Sequence, residues 1–384
     1  MRNRVKILLS ALLLSSMLCL PAPAAADSIG TPVNCGADQF WFGPDLVLAS
    51  SGQALFKTTE TGWTRLPAPT DWTHLDVTSS GRIYLYDEDT TLIYRSDDGG
   101  ETWWTRGGTP FLCYHPSFYP SPVADEVFLS INSSWSIYNT SFSGLWKSVD
   151  GGIRWQHVFD LSHELVYLSS MTFSPTYVQD GAAFIAKNGR GTFAGVWKST
   201  DFGQTWFRSS TEPIGGPAAA PGWLVISPQF PQDGTVFSGN GPYDAGFYKS
   251  TDGGEHWFYT APVDNVASMA LSPDYRLDQT LLIASRGKVY KSLNGAASVF
   301  EIWAPSDKWA EVVGISYASP DAGASTAESQ TRRLVYWAVA RTDSGCRLYG
   351  SLNDGASWQP QTLYKPVYLP AILTSSAPAH VGSN

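Results

Sequence analysis

The chain has 384 residues, of which 15% are charged and 14% aromatic, with 35 Gly, 25 Pro and 16 Trp. This composition excludes a disordered chain, which would be poor in aromatics and rich in charge. It also excludes a coiled coil or helix bundle, because Gly and Pro break helices. A formal charge of -9 argues against nucleic-acid binding, which calls for a basic surface.

The first 26 residues read as an address. Arg2, Arg4 and Lys6 form a positive start, Ile7 to Leu20 an apolar stretch, and Ala24-x-Ala26 a small-residue cleavage site. That is the three-part pattern of a secretory signal peptide, with an apolar run too short to span a bilayer comfortably. Cys19 follows Leu18, where a lipid-attachment signal would carry a small residue. The expectation is a secreted or extracytoplasmic protein cleaved near Ala26. Cleavage removes three basic residues and no acid. No later apolar run is long enough to anchor the chain. Three cysteines follow the leader, Cys35, Cys113 and Cys346, so at most one internal disulfide can form.

From about residue 58 a motif recurs, Ser-x-Asp-x-Gly-x-Thr-Trp. Two full copies are Ser96 to Trp103 and Ser199 to Trp206. Two more change only the Thr: Ser148, Asp150, Gly152, Arg154, Trp155, and Ser250, Asp252, Gly254, His256, Trp257. Another reads Ser351, Asn353, Gly355, Ser357, Trp358. Decayed copies start at Ser292, with Asn294, Ser298 and Phe300, and at Thr58, with Glu60, Gly62 and Trp63. A second element runs in phase with the first: Ser174-Pro175 with Asp180, Ser227-Pro228 with Asp233, and Ser272-Pro273 with Asp278.

Seven copies about 40–60 residues apart match the blade length of a β-propeller. The fourth repeat predicts strands over 166–173, 182–187, 195–199 and 205–208, each short, β-branched or aromatic, and bounded by turn residues. The expected fold is all-β: a single seven-bladed propeller of four-stranded antiparallel blades over 27–373, with blade boundaries near 68, 109, 161, 211, 263 and 305. Residues 374–384 read as a loose tail, and 367–373 as a closing strand or a segment lying across the ring. The motif has a mechanical reason. It sits at the hairpin between the third and fourth strands, where Asp accepts backbone N–H groups, Gly takes positive φ, and Trp wedges between blades.

These residues resemble the Asp-box (BNR-repeat) β-propeller superfamily, which includes sialidases, sortilin-type receptors, oligoxyloglucan-type glycosidases and photosystem II stability factors. The resemblance covers almost all of the chain after the leader. It implies that the boxes are structural and peripheral: Asp98 and Trp103, Asp150 and Trp155, Asp201 and Trp206, Asp252 and Trp257, Asn353 and Trp358. It also implies that ligands meet the opposite face or the channel. Ring closure brings the first and last repeats together, so a Cys35–Cys346 disulfide is conceivable, as are unpaired thiols.

On the expected ligand face, long loops carry Trp135, Tyr138, Arg190, Phe193, Tyr243 and Asp244, suited to sugar stacking or a protein contact. The connections between blades supply Asp71, Asp160, Glu164, Asp264, Asp307 and Glu311, beside Trp72, His74, His163 and Trp309. Two such carboxylates across a pocket would suit a glycosidase. A sialidase reading lacks its marks: Arg82-Ile83-Tyr84 misses the Pro of the family's Arg-Ile-Pro and lies in the wrong repeat, and no arginine triad can be assigned. Histidines are dispersed, no His/Cys set has zinc spacing, and no phosphate loop is present, so no metal or cofactor is expected. The leading expectation is a secreted, monomeric, non-catalytic propeller that binds a protein or carbohydrate, with no nucleic acid and no membrane span. A secreted glycoside hydrolase or lyase, or an assembly factor for a membrane complex, stays open.

Overall fold

The computed structural model describes residues 33–35, 38–42, 47–51, 54–59, 62–69, 72–78, 81–87, 89–109, 117–131, 143–161, 167–188, 195–209, 221–240, 247–260, 263, 266–285, 287–318, 335–342 and 345–361. These form seven antiparallel sheets in chain order, six of four strands and a first one of five. The fold is a β-propeller. Every expected blade boundary falls in the gap between two consecutive sheets. The fourth blade runs Tyr167–Phe173, Ala183–Asn188, Gly195–Ser199, Phe207–Arg208, within two residues of the expected spans.

The blades cannot bury their faces alone, and the described core is made between them. Six apolar clusters are each shared by two consecutive blades. Between blades three and four, for example, Phe128, Leu145 and Leu161 meet Leu168, Phe173, Tyr177 and Ile185. Full burial of such side chains supplies about 1.5–3 kcal/mol each, which is what closes one blade onto the next.

Six boxes share one hydrogen-bond plan. In blade four the Ser199 hydroxyl donates to Asp201 Oδ1 at 2.8 Å and accepts the Gly203 N–H at 2.8 Å. Asp201 then accepts the N–H groups of Gln204 and Thr205 and the Thr205 hydroxyl. The Trp206 indole donates to Gly203 O at 3.2 Å. Gly203 has φ +74°, and a Cβ there would stand 2.6 Å from the Phe128 ring of blade three. Glycine is therefore demanded twice, by the backbone and by the neighbouring blade. Blade six keeps the plan with Asn294 for Asp, its amide donating to Ser298 at 2.9 Å. Blade one does not. Its outer strands pair Thr58 with Trp63 and Thr59 with Gly62, leaving two residues for the turn. That is a tight hairpin, too short for a box loop, so the decayed copy at Thr58 is no box.

The second motif also has a cause. After the innermost strand of blades four, five and six the chain makes one helical turn, Tyr177–Asp180, Phe230–Asp233 and Tyr275–Asp278. The Ser hydroxyl ahead of each turn donates to the Asp at its end, at 2.6 to 2.7 Å. Each turn then accepts a backbone N–H from the box of its own blade: Phe202 to Gly181 O, Gly253 to Gly234 O, and Gly295 to Gln279 O. Both motifs therefore lie on one face of the ring.

A feature not anticipated from sequence links the blades. The residue before the box hydroxyl is Arg95, Lys147, Lys198, Lys249 or Lys291, with Lys57 at the corresponding place in blade one, and each reaches the next blade. Lys57 pairs with Glu101 and Arg95 with Asp125. Lys147 donates to Phe202 O, Lys198 to Gly253 O and Lys249 to Gly295 O. Lys291 pairs with Asp354 at 2.7 Å. Lys147 also forms a buried ion pair with Glu126 at 2.7 Å, and Glu126 accepts the Tyr177 hydroxyl of blade four. In blade seven the equivalent residue is Gly350, which has no side chain to reach with. Cys346, in that blade, is disulfide-bonded; the side chain of Cys35 lies outside the described residues.

Candidate functional site: the central channel

The innermost strands of six blades wall a cavity of about 440 Å³ on the ring axis. Alternation decides what faces it. His74–Val77 and Ser117–Pro120 each alternate half-buried and buried residues, so His74, Asp76, Ser117 and Tyr119 turn toward the channel, while Leu75, Val77 and Phe118 enter the core between blades. Met171, Trp223, Val225, Ala270 and Ser316 complete the wall from the later blades. The Trp223 indole is fixed: its N–H donates to Val266 O at 2.8 Å, and Gly239 leaves room for the ring.

Asp76 is the one carboxyl among the described lining residues. It is half-buried on the cavity wall. Loss of hydration pushes it up to about 8, offset in part by the Val77 N–H, which donates to Oδ1 at 2.7 Å. The carboxyl is therefore mostly protonated at pH 7. Burial pushes the Tyr119 phenol well above its ordinary range, Ser117 draws it partly back, and the Asp76 charge adds to the rise. His74 Nδ1 lies 2.9 Å from the Thr73 hydroxyl, and its ring tilts against Tyr86.

The residues expected on the ligand face separate. His74 lines the cavity. Trp72 does not reach it: at 4% exposure it is packed between blades one and two, against Leu55, Leu66 and Leu75, and this corrects its assignment to the binding face. Asp307 closes a turn by accepting the Trp309 N–H at 3.0 Å, and Glu311 is paired with Arg341. Trp309 is 73% exposed with Lys308 5.1 Å from its ring centre. Trp135, Tyr138, His163, Glu164, Arg190, Phe193, Tyr243 and Asp244 lie outside the described residues, as do Asp71 and Asp264.

Asp252, Glu255 and His256 bring three ligand-type atoms within 4.8 Å of one another. The blade-five box accounts for them, since Asp252 already accepts both N–H groups and meets His256 Nδ1 at 2.6 Å. The residues that sequence reading missed are Asp76, Ser117, Tyr119 and Trp223. One signal was available: an isolated Asp in His74-Leu75-Asp76-Val77, a short run otherwise suited to an inner strand.

No family model matches the chain. A curated xyloglucanase from Paenibacillus sp is 25% identical over 274 residues, which is 59% of this chain and 26% of the enzyme. Among solved structures, the GH74 xyloglucanase of Xanthomonas campestris superimposes with a TM-score of 0.56 at 15% identity, covering 85% of this chain and 54% of the enzyme. Saccharomyces cerevisiae Sqt1 gives 0.55 at 12%, covering 94% and 91%. YCF48 bound to D1 peptide gives 0.50 at 17%, covering 77% and 84%. This chain thus spans about a quarter of the curated xyloglucanase and about half of the Xanthomonas enzyme. At these identities the superpositions establish the fold alone. No helix among the described residues is long and apolar enough to cross a membrane.

Proposed function

We propose that this protein is an extracytoplasmic propeller that binds a protein or glycan without chemically altering it. The leader 1–26 is removed, 27–373 form one ring, and 374–384 trail from it. The observation that carries the reading is the channel itself. Its described wall is largely apolar and offers one carboxyl, mostly neutral at pH 7. Glycoside hydrolysis works between two carboxyls on opposite sides of the bond. A preformed apolar cavity with a few polar groups is the ordinary form of a binding site.

A glycoside hydrolase is the second reading, favoured by the similarity to a curated xyloglucanase. Its acids would come from the connections between blades, where Glu311 is engaged by Arg341 and Asp307 by its own turn. An assembly role is the third, supported by the likeness to a propeller solved with a bound peptide. The discriminating experiment is a polysaccharide panel, xyloglucan included, scored for retention and for released product. Retention without product is expected. Product formation lost on substituting Asp160, Asp307 or Glu311 would overturn the binding reading.

A further inference from the structure

The channel holds a chemical contradiction that a ligand would resolve. A carboxyl sits in an apolar cavity, hydrogen-bonded among the described residues to the N–H of its own neighbour, Val77. No described cation faces it. The titratable groups lining the channel with it are His74 on the same strand and Tyr119 on the next blade. Tyr84, its partner across the sheet, stays neutral because burial raises its phenol. The walls add the rings of Tyr119 and Trp223 and the Met171 side chain, all polarisable.

We infer that the channel accepts an alkylammonium group, that of a lysine side chain offered by a protein partner, with Asp76 as its counter-ion. This rests on the binding reading above and names its ligand chemistry. An alkyl stem matches the apolar wall of Met171, Val225 and Ala270 better than a hydroxyl-covered sugar does. The formal charge of -9 on the chain steers basic partners toward it. The protons balance simply. Below pH 8 the neutral Asp76 gives its proton to solvent as the ammonium enters, and the ion pair replaces the neutral acid.

The test is calorimetric titration of the intact secreted protein with Nα-acetyl-lysine N-methylamide, its Nε-acetylated counterpart, n-pentylammonium and glucosamine. The lysine amide and pentylammonium should bind, and acetylation should weaken binding by about tenfold or more. Affinity should rise about ninetyfold from pH 6 to pH 9, as Asp76 ionises through about 8 while the amine stays charged. His74→Gln should keep that rise, which separates Asp76 from the nearby imidazole. Asp76→Asn should flatten it. If Asp76→Asn does not fold, the protons released on binding to the wild-type protein at pH 7, read in buffers of different ionisation heat, decide the matter: close to one supports the pair and none refutes it. Equal binding of the acetylated amide, a flat pH profile, or no binding by any amine overturns the inference. Tighter binding of glucosamine than of the lysine amide overturns the protein partner in favour of a glycan. Polysaccharide turnover in the separate panel would overturn the binding reading and leave these titrations standing.

Discussion

The box face and the channel of the same ring treat a carboxylate in opposite ways. On the box face each Asp is surrounded by donors from its own hairpin. Asp252 accepts two backbone N–H groups and meets a His, and its pKa is held to about 2 despite some cost of burial. In the channel Asp76 has one donor among the described residues, and burial pushes it up to about 8. Local hydrogen bonding fixes the first as structure. Its scarcity leaves the second available for something from outside.

The largest effect should come from the link between blades rather than from either face. Lys147→Met strands the buried Glu126 carboxylate and should cost about 3–5 kcal/mol in urea unfolding. Adding Glu126→Gln should recover much of it. A simple sum of the two single losses would show that Lys147 acts through Phe202 O and the Phe128 ring instead.

Asp76 sharpens the contrast by its sign. Its folded pKa lies above the unfolded value of about 3.9, so its ionisation destabilises the fold progressively as pH rises from about 4 to about 8. Asp76→Asn should therefore stabilise the protein relative to wild type at pH 9 and change it little at pH 4, as read by urea unfolding at the two values. A variant equally altered at both values would break the comparison.

The boxes run the other way. Asp150 and Asp252 have folded pKa values of about 2, so their stabilisation is present above about pH 4 and is lost as pH falls through about 2. Asp201→Ala should cost about 1 kcal/mol at pH 7, the smallest of the three effects because solvent screens the site. At pH 2 the difference from wild type should shrink, as read by thermal unfolding at the two values.

The same contrast governs what was legible in the sequence. The box is written within eight residues: Ser199, Asp201, Gly203, Thr205 and Trp206 contact one another, so their spacing predicts both hairpin and blade. The interlocking lysines were readable in principle, since Trp146-Lys147-Ser148 and Trp197-Lys198-Ser199 repeat the pattern, but their partners lie about 50 residues away in the next blade. The channel assembles single residues from six blades. Asp76 and Tyr119 meet only once the ring closes, and nothing local marks either. Trp72 misled for the converse reason: an aromatic in a connection looks like a ligand contact until the neighbouring blade covers it.

The lysine and arginine links between blades all point one way. From Lys57 to Lys291, the strand next to the outermost one reaches forward to the blade that follows it in sequence, and Gly350 ends the series. A chain leaving the ribosome therefore always carries one cation waiting for loops not yet made. Each new blade completes its predecessor and exposes the next unmet charge. The order of synthesis thus matches the order of these contacts, and the series ends at the blade that has nothing to reach with. Among the described residues the cationic series ends in the last blade, the one that carries the disulfide-bonded Cys346.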